Sequence, residues 1–86
     1  MAEQVPSIGR VVHYVLEAGP HQGEDRPALI VRVWGDTPNA PVNLCVFVDG
    51  SNDYYPHQGE EPLTLWRTSK LRDDNKAPGT WHLALA

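Results

Sequence analysis

The chain has one cysteine, Cys45, among its 86 residues. A single thiol cannot form an intrachain disulfide, so the sequence excludes the small disulfide-stapled scaffolds of oxidising compartments. Long hydrophobic runs are also missing, because the apolar stretches are about five residues long and a bilayer-spanning helix needs about 20. We therefore expect a protein of the reducing cytosol with no membrane partner.

Positive charge is scarce as well. Seven Lys and Arg residues stand against eleven Asp and Glu residues, and the formal net charge is −4 at pH 7. Non-specific binding to DNA grows with the number of phosphates that a protein neutralises. General DNA binding is therefore not expected.

Motifs for metal binding and catalysis are absent from the sequence. There is no His-x-x-x-His spacing and no pair of cysteines, so no zinc motif is present. No serine lies in a Gly-x-Ser-x-Gly turn. The sequence accordingly predicts no metal, no cofactor and no catalytic residue, and it favours a protein that is not an enzyme. A weak acid–base site at His13 or His82 is a further option, because imidazole exchanges protons near neutral pH.

The chain does contain five segments rich in β-branched and aromatic residues, separated by Gly, Pro and Asp turns. The predicted strands cover residues 8–16, 28–34, 42–48, 63–69 and 80–85. No segment has a helical period. We expect an all-β fold with little or no helix, as a small five-stranded SH3-like barrel or a strongly bent sheet. Residues 1–7 would form a flexible N-terminal arm, and residues 8–86 a single barrel domain.

The second predicted strand has two distinct faces. Strand alternation puts Arg32 and Trp34 on the face of Ala28 and Ile30, and it leaves a purely aliphatic face opposite. The aliphatic face is predicted to be core, and the Arg32–Trp34 face is suited to a flat, anionic ligand. The residues expected to be mostly buried are Ile30, Val31, Val33, Leu44, Val46, Phe47 and Leu65.

Tryptophan and arginine supply the candidate binding groups. Three tryptophans are many for so short a chain, and at least one should be core. An arginine on an apolar face needs a partner, which is either the phosphate or carboxylate of a ligand or an internal acid such as Asp36 or Asp49. The first strand adds either Tyr14 or His13 to the barrel exterior, depending on which face is core. The candidate ligand-binding residues are Arg10, His13, Arg32, Trp34, Trp66, Arg67 and His82.

One short segment occurs twice. The sequence Pro-His-Gln-Gly-Glu is found at residues 20–24 and again at residues 56–60. The two copies are either similar loops that line one site or a chance match of ordinary turn residues.

Three segments together resemble a known group of proteins. They are Pro-Ser-Ile-Gly-Arg-x-Val-His-Tyr-Val-Leu at residues 6–16, Arg-Pro-Ala-Leu-Ile-Val-Arg-Val-Trp at residues 26–34 and Ala-Pro-Gly-Thr-Trp-His at residues 77–82. These segments are similar to short, uncharacterised proteins of tailed-phage and prophage genomes. The resemblance implies a phage origin, and it carries over no catalytic residue.

A phage origin suggests two roles. The first is an accessory protein that acts in the host cytoplasm against host defence. Such a protein would form a homo-oligomer and sequester an anionic small ligand, such as a nucleotide-derived defence signal, without catalysis. The alternative is a virion structural protein, either a capsid decoration or cement protein or a head–tail component. Self-association is expected in both cases, because a domain this small has a thin core.

Overall fold

A computed structural model describes residues 5–50, 52–53 and 64–84 of the chain. The expected all-β class is confirmed, and the described residues contain no helix. Five strands form within the described ranges, and each lies within a few residues of its predicted position. They are β1 (Val11–Val15), β2 (Asp25–Val33), β3 (Val42–Phe47), β4 (Thr64–Lys70) and β5 (Trp81–Leu83). In this described part of the chain, no helix has the length and apolar character needed to cross a bilayer.

The strands form one antiparallel sheet in the order β4-β3-β2-β1-β5. The two outer strands meet where the chain leaves β4. Arg72 forms a parallel bridge with Trp81, and the amide of Trp81 donates to the carbonyl of Leu71. This contact joins the chain just beyond β4 to β5 and gives the sheet a barrel-like form. Closure protects strand edges that would otherwise offer unpaired backbone groups to another chain.

The core lies between the two halves of the curled sheet. Trp81 is only 1% exposed and is the core tryptophan that the sequence predicts. Ile30, Leu44 and Val46 are buried as expected, and Val33 and Leu65 pack against the core from its margin. The buried cluster consists of Val12, Tyr14, Ala28, Ile30, Val42, Leu44, Val46 and Trp81.

The predicted core face of β2 is right for Val33 but wrong for the residues before it. Ala28 and Ile30 point into the core, whereas Val31 is 43% exposed. The β2–β3 register shifts between Ile30 and Arg32, which marks a β-bulge. A bulge inserts one extra residue and reverses the alternation that follows it, so Val33 also faces inward.

Phe47 was also expected in the core, and it is 42% exposed instead. Its neighbour Val46 is fully buried and points inward, so strand alternation turns Phe47 outward. Cys45, which shares the face of Phe47, is half-buried on the same outer side.

A second bulge lies in β4, where that strand pairs with β3. The register shifts between Val42 and Leu44. The side-chain oxygen of buried Asn43 accepts hydrogen bonds from the Ser69 amide at 2.9 Å and from Trp34 Nε1 at 3.0 Å. One amide oxygen has two lone pairs, so Asn43 can satisfy both donors at the bulge. The two bulges give the sheet the strong local twist that closure needs.

The reversed faces of β2 can be tested with two neighbouring substitutions. We expect Ile30→Ala to lower the free energy of unfolding by about 2–5 kcal/mol, because it leaves a cavity in the core. Val31→Ala should change it by no more than about 1 kcal/mol, because its side chain is partly in solvent. Urea denaturation of both variants measures the difference. A larger loss of stability in Val31→Ala than in Ile30→Ala would show that Val31, and not Ile30, lies in the core.

Candidate functional site

The candidate site begins where β1 and β5 pair. His13 lies directly opposite His82, and the two ring centroids are 5.6 Å apart in an edge-to-face arrangement. The neighbouring pair, Tyr14 and Trp81, is buried in the core. Alternation therefore sends both histidines to the other face of the sheet. Of the two options for β1, the histidine and not the tyrosine faces outward.

Asp25 joins the two histidines from the start of β2. Its Oδ2 atom lies 3.1 Å from Nε2 of His82 and 3.4 Å from Nδ1 of His13. One ligating atom from each of the three residues can be chosen so that all lie within 4.8 Å of one another. The His82 side chain is 8% exposed, whereas those of His13 and Asp25 are 38% and 34% exposed. We call His13, Asp25 and His82 the His–Asp–His cluster.

The cluster opens into a pocket of about 400 Å³. Ligand pockets usually have volumes of about 300–1,000 Å³, so this one can hold a small molecule. Its remaining wall consists of Arg72, Asp74, Lys76 and Leu83.

The fixed charges of the pocket wall balance. The cations of Arg72 and Lys76 face the carboxylates of Asp25 and Asp74. Arg72 donates to both carboxylate oxygens of Asp74, at 3.1 and 3.2 Å. These four charges sum to zero, so the described part of the wall carries no net fixed charge.

A buried ion pair holds Asp25 in place. Arg26 Nε donates to Asp53 Oδ2 at 2.5 Å, and Arg26 Nη2 donates to Asp53 Oδ1 at 2.6 Å. The Asp53 side chain is fully buried, and its Oδ2 also accepts from the backbone amide of Asp49 at 2.7 Å. The remaining nitrogen, Arg26 Nη1, donates to the carbonyl of Asp25 at 2.8 Å. The hydrogen bonds from Arg26 hold the pKa of the Asp53 carboxyl below its usual range.

Arg67, another predicted site residue, pairs with an internal acid. Its Nε donates to Glu17 Oε1 at 2.8 Å, and its Nη2 lies 2.5 Å from the same oxygen. Tyr14 donates to the other oxygen of Glu17, and burial together with this bond raises the pKa of the tyrosine. The internal partner that the sequence allowed for is thus present, although it is Glu17 and not Asp36 or Asp49.

The remaining predicted residues lie apart from the pocket. Arg32 stacks on Trp34, with its guanidinium carbon 4.0 Å from the ring centroid, so these two share a surface as expected. Trp66 is 54% exposed on β4, and Arg10 is half-buried just before β1. Of the seven predicted residues, the structure brings only His13 and His82 together in the pocket.

Sequence reasoning missed Asp25 and the pocket wall. Asp25 lies 57 positions from His82, and no short motif spans that distance. The available signal was alternation, because Tyr14 and Trp81 as core aromatics would have placed His13 and His82 on one outer face. The repeated loop at residues 56–60 lies outside the described residues, so its relation to residues 20–24 stays a prediction.

No protein-family model, curated protein or solved structure matches the chain. The resemblance to phage proteins therefore stays a prediction, and function must be inferred from the geometry of the pocket.

The ion pair behind the cluster leads to a prediction about acid stability. Asp53→Asn should lower the free energy of unfolding at pH 7 by about 3 kcal/mol, because it breaks a buried pair and leaves the largely buried Arg26 with only the exposed carboxylate of Glu24, 3.3 Å away, as an ionic partner. The folded-state pKa of Asp53 is depressed, so its contribution is present above the unfolded pKa of about 4 and is lost as the pH falls further. The stability gap between wild type and variant should therefore narrow below that pH. Urea denaturation across the acid range measures it.

Asp74→Asn is the matched control, because Asp74 also pairs with a largely buried arginine, Arg72, but its own carboxylate is exposed to solvent. The Asp74 side chain is 63% exposed. We expect a change of no more than about 1 kcal/mol at any pH. Equal effects of the two variants would show that burial adds nothing to the Arg26–Asp53 pair.

Proposed function

We propose that the protein is a non-catalytic binding module that holds a small anionic ligand in the pocket beside the His–Asp–His cluster. The observation that supports this is the convergence of His13 and His82 with Arg72 and Lys76 on one cavity of about 400 Å³. Imidazole, guanidinium and ammonium N–H groups all donate to phosphate or carboxylate oxygens. Leu83 adds an apolar wall for the uncharged part of the ligand.

The size of the pocket and the resemblance to phage proteins together indicate which ligand to test first. A cavity of this volume suits a mononucleotide or a similar molecule. A phage accessory protein that sequesters a nucleotide-derived defence signal would use such a cavity. Trp34 and Trp66 do not line it, so the proposal involves no stacking on these two tryptophans.

Binding without turnover fits the lining residues better than nucleophilic catalysis does. A His–Asp pair such as His82 with Asp25 also serves as a general base in hydrolases. That chemistry needs a nucleophile next to the imidazole, and no serine, threonine or cysteine lines the pocket among the residues that the structure describes. Hydrolysis by an activated water is tested by analysing the ligand after incubation.

The proposal predicts a binding loss on removal of a pocket cation. Titration calorimetry with ATP, a cyclic dinucleotide and inorganic pyrophosphate should detect binding of at least one probe. Lys76→Gln should weaken it by about 10- to 100-fold, because a charge-assisted hydrogen bond contributes about 1.5–3 kcal/mol. Mass spectrometry of small molecules released from protein purified from defence-positive cells would identify the natural ligand.

Lys70→Gln is the control for this experiment, because Lys70 ends β4 and does not line the pocket. Its affinity for the bound probe should equal that of wild type. Equal affinities of the Lys76 variant and wild type, or conversion of the probe to product, would contradict the proposal.

A second candidate function is favoured by an apolar surface on the outer side of the sheet. Strand pairing sets Val11, Leu29, Cys45 and Trp66 in one cross-strand row, and Phe47 lies two positions beyond Cys45 on the same face. Val11, Phe47 and Trp66 are 52%, 42% and 54% exposed. We call these five residues the outer sheet patch. Contiguous exposed apolar surface of this kind suits a protein that assembles, as a virion structural protein does.

Self-association through the outer sheet patch can be tested by light scattering. We expect a homo-oligomer that Trp66→Lys dissociates, because a buried ammonium would lack a partner at the contact. Leu71→Lys is the control, since Leu71 is 56% exposed and lies outside the patch. A wild-type monomer at high micromolar concentration would count against assembly through this face.

A further inference from the structure

We infer that the His–Asp–His cluster is a binding site for a divalent transition-metal ion such as Zn²⁺, with an open coordination position toward the pocket. The inference rests on the three side chains and their distances. It goes beyond the proposed function, and only the coupling between metal and anion described below depends on that function.

The distances fit the coordination of zinc. Zinc bonds to histidine nitrogen and carboxylate oxygen are about 2.0–2.1 Å long, so ligand atoms at the corners of a tetrahedron lie about 3.3–3.4 Å apart. The Asp25 oxygen lies 3.1 Å from His82 Nε2 and 3.4 Å from His13 Nδ1. The three ligating atoms lie within 4.8 Å of one another, and the half-exposed ring of His13 can rotate to close the remaining gap.

The donor set also suits the proposed ion. Two imidazoles and one carboxylate form a three-ligand set that occurs in zinc sites with an open fourth position. His82 is buried, whereas His13 and Asp25 are partly exposed and line the pocket. The fourth position would therefore face the cavity, where a water molecule or a ligand oxygen can occupy it.

The hydrogen-bond environment of His82 determines how tightly we expect the cluster to bind a metal ion. A ligating histidine usually donates its second ring N–H to a carboxylate or carbonyl, and such a partner improves metal affinity by about 10- to 100-fold. Nδ1 of His82 is buried and has no hydrogen-bond partner among the described residues. Asp25 is itself well anchored, because Arg26 holds its backbone carbonyl at 2.8 Å. We therefore expect zinc to bind about 10- to 100-fold more weakly than it would if His82 Nδ1 had such a partner.

A bound metal ion would change the affinity of the pocket for anions. The fixed charges of the wall sum to zero, so a divalent ion would make the pocket positive. A phosphate or carboxylate oxygen could then take the open coordination position while Lys76 donates to another oxygen. Metal and anion would each raise the affinity for the other by the same factor, as linkage requires.

The test uses the metal alone. Chelator-treated protein is titrated with ZnCl₂ by calorimetry and with CoCl₂ by visible absorption, whose intensity distinguishes four-coordinate Co²⁺. We expect one ion per chain. His13→Gln and Asp25→Asn should each weaken binding at least about tenfold, because each removes one of three protein ligands. Circular dichroism checks the fold, and His13 is the safer site to change because its side chain is 38% exposed.

His21→Gln is the matched control. His21 also pairs with a carboxylate, with Nδ1 at 3.1 Å from Glu24 Oε2, but it lies in a loop away from the pocket. Its removal should leave zinc affinity unchanged. The inference is overturned if zinc does not bind in a one-to-one ratio. It is also overturned if folded His13→Gln protein binds zinc as wild type does.

A separate arm distinguishes the metal site from the proposed function. Inorganic pyrophosphate is titrated into chelator-treated and zinc-loaded protein. Zinc binding without pyrophosphate binding at either stage would support the metal site and count against the phosphate ligand. Pyrophosphate binding by protein that takes up no zinc would overturn the metal site alone. Equal pyrophosphate affinities with and without bound zinc would overturn the coupling.

Discussion

The candidate site depends on the buried ion pair between Arg26 and Asp53. The pair joins the start of β2 to the turn after β3, and the arginine uses its remaining nitrogen to hold the backbone of Asp25. Buried ion pairs often contribute little net stability, but removal of one partner is costly because the other charge stays buried. The interaction therefore fixes where the chain must lie more than it strengthens the fold. Its consequence is that Asp25 meets both histidines at a defined position.

The fold was largely predictable from the sequence, because period-2 patterning and Gly/Pro turns are local signals. The strands and the all-β class follow from them. The faces of β2 were not predictable, because the bulge near Val31 is a property of its pairing with β3 and not of β2 alone. Simple alternation can be right on only one side of a bulge. It placed Val33 correctly after the bulge, but it put Ala28 and Ile30 on the outer face and Val31 in the core.

The candidate site was predictable only in part. His13 and His82 were identified by residue type, and their meeting follows from the pairing of β1 with β5. In the sequence, Asp25 is one of two adjacent acidic residues at the end of a turn. No local pattern marks it, rather than Glu24, as a site residue. The stacking of Arg32 on Trp34 could be predicted because Trp34 directly follows β2 and lies two positions after Arg32. Long-range partners such as Glu17 for Arg67 need the three-dimensional fold.

The pairing of β1 with the three-residue β5 also determines when the pocket can exist during folding. Contacts between residues that are far apart in sequence require closure of a long loop, which makes them slow to form. The hairpins β1–β2 and β2–β3 involve near neighbours and can form before β5 docks. Before residue 82 emerges from the ribosome, the earlier strands can pair with one another. The cavity then still lacks the wall that β5 provides. Any ligand or ion that requires both histidines would then bind only after synthesis has passed that residue, so it would act on the nearly finished barrel and not on its precursors.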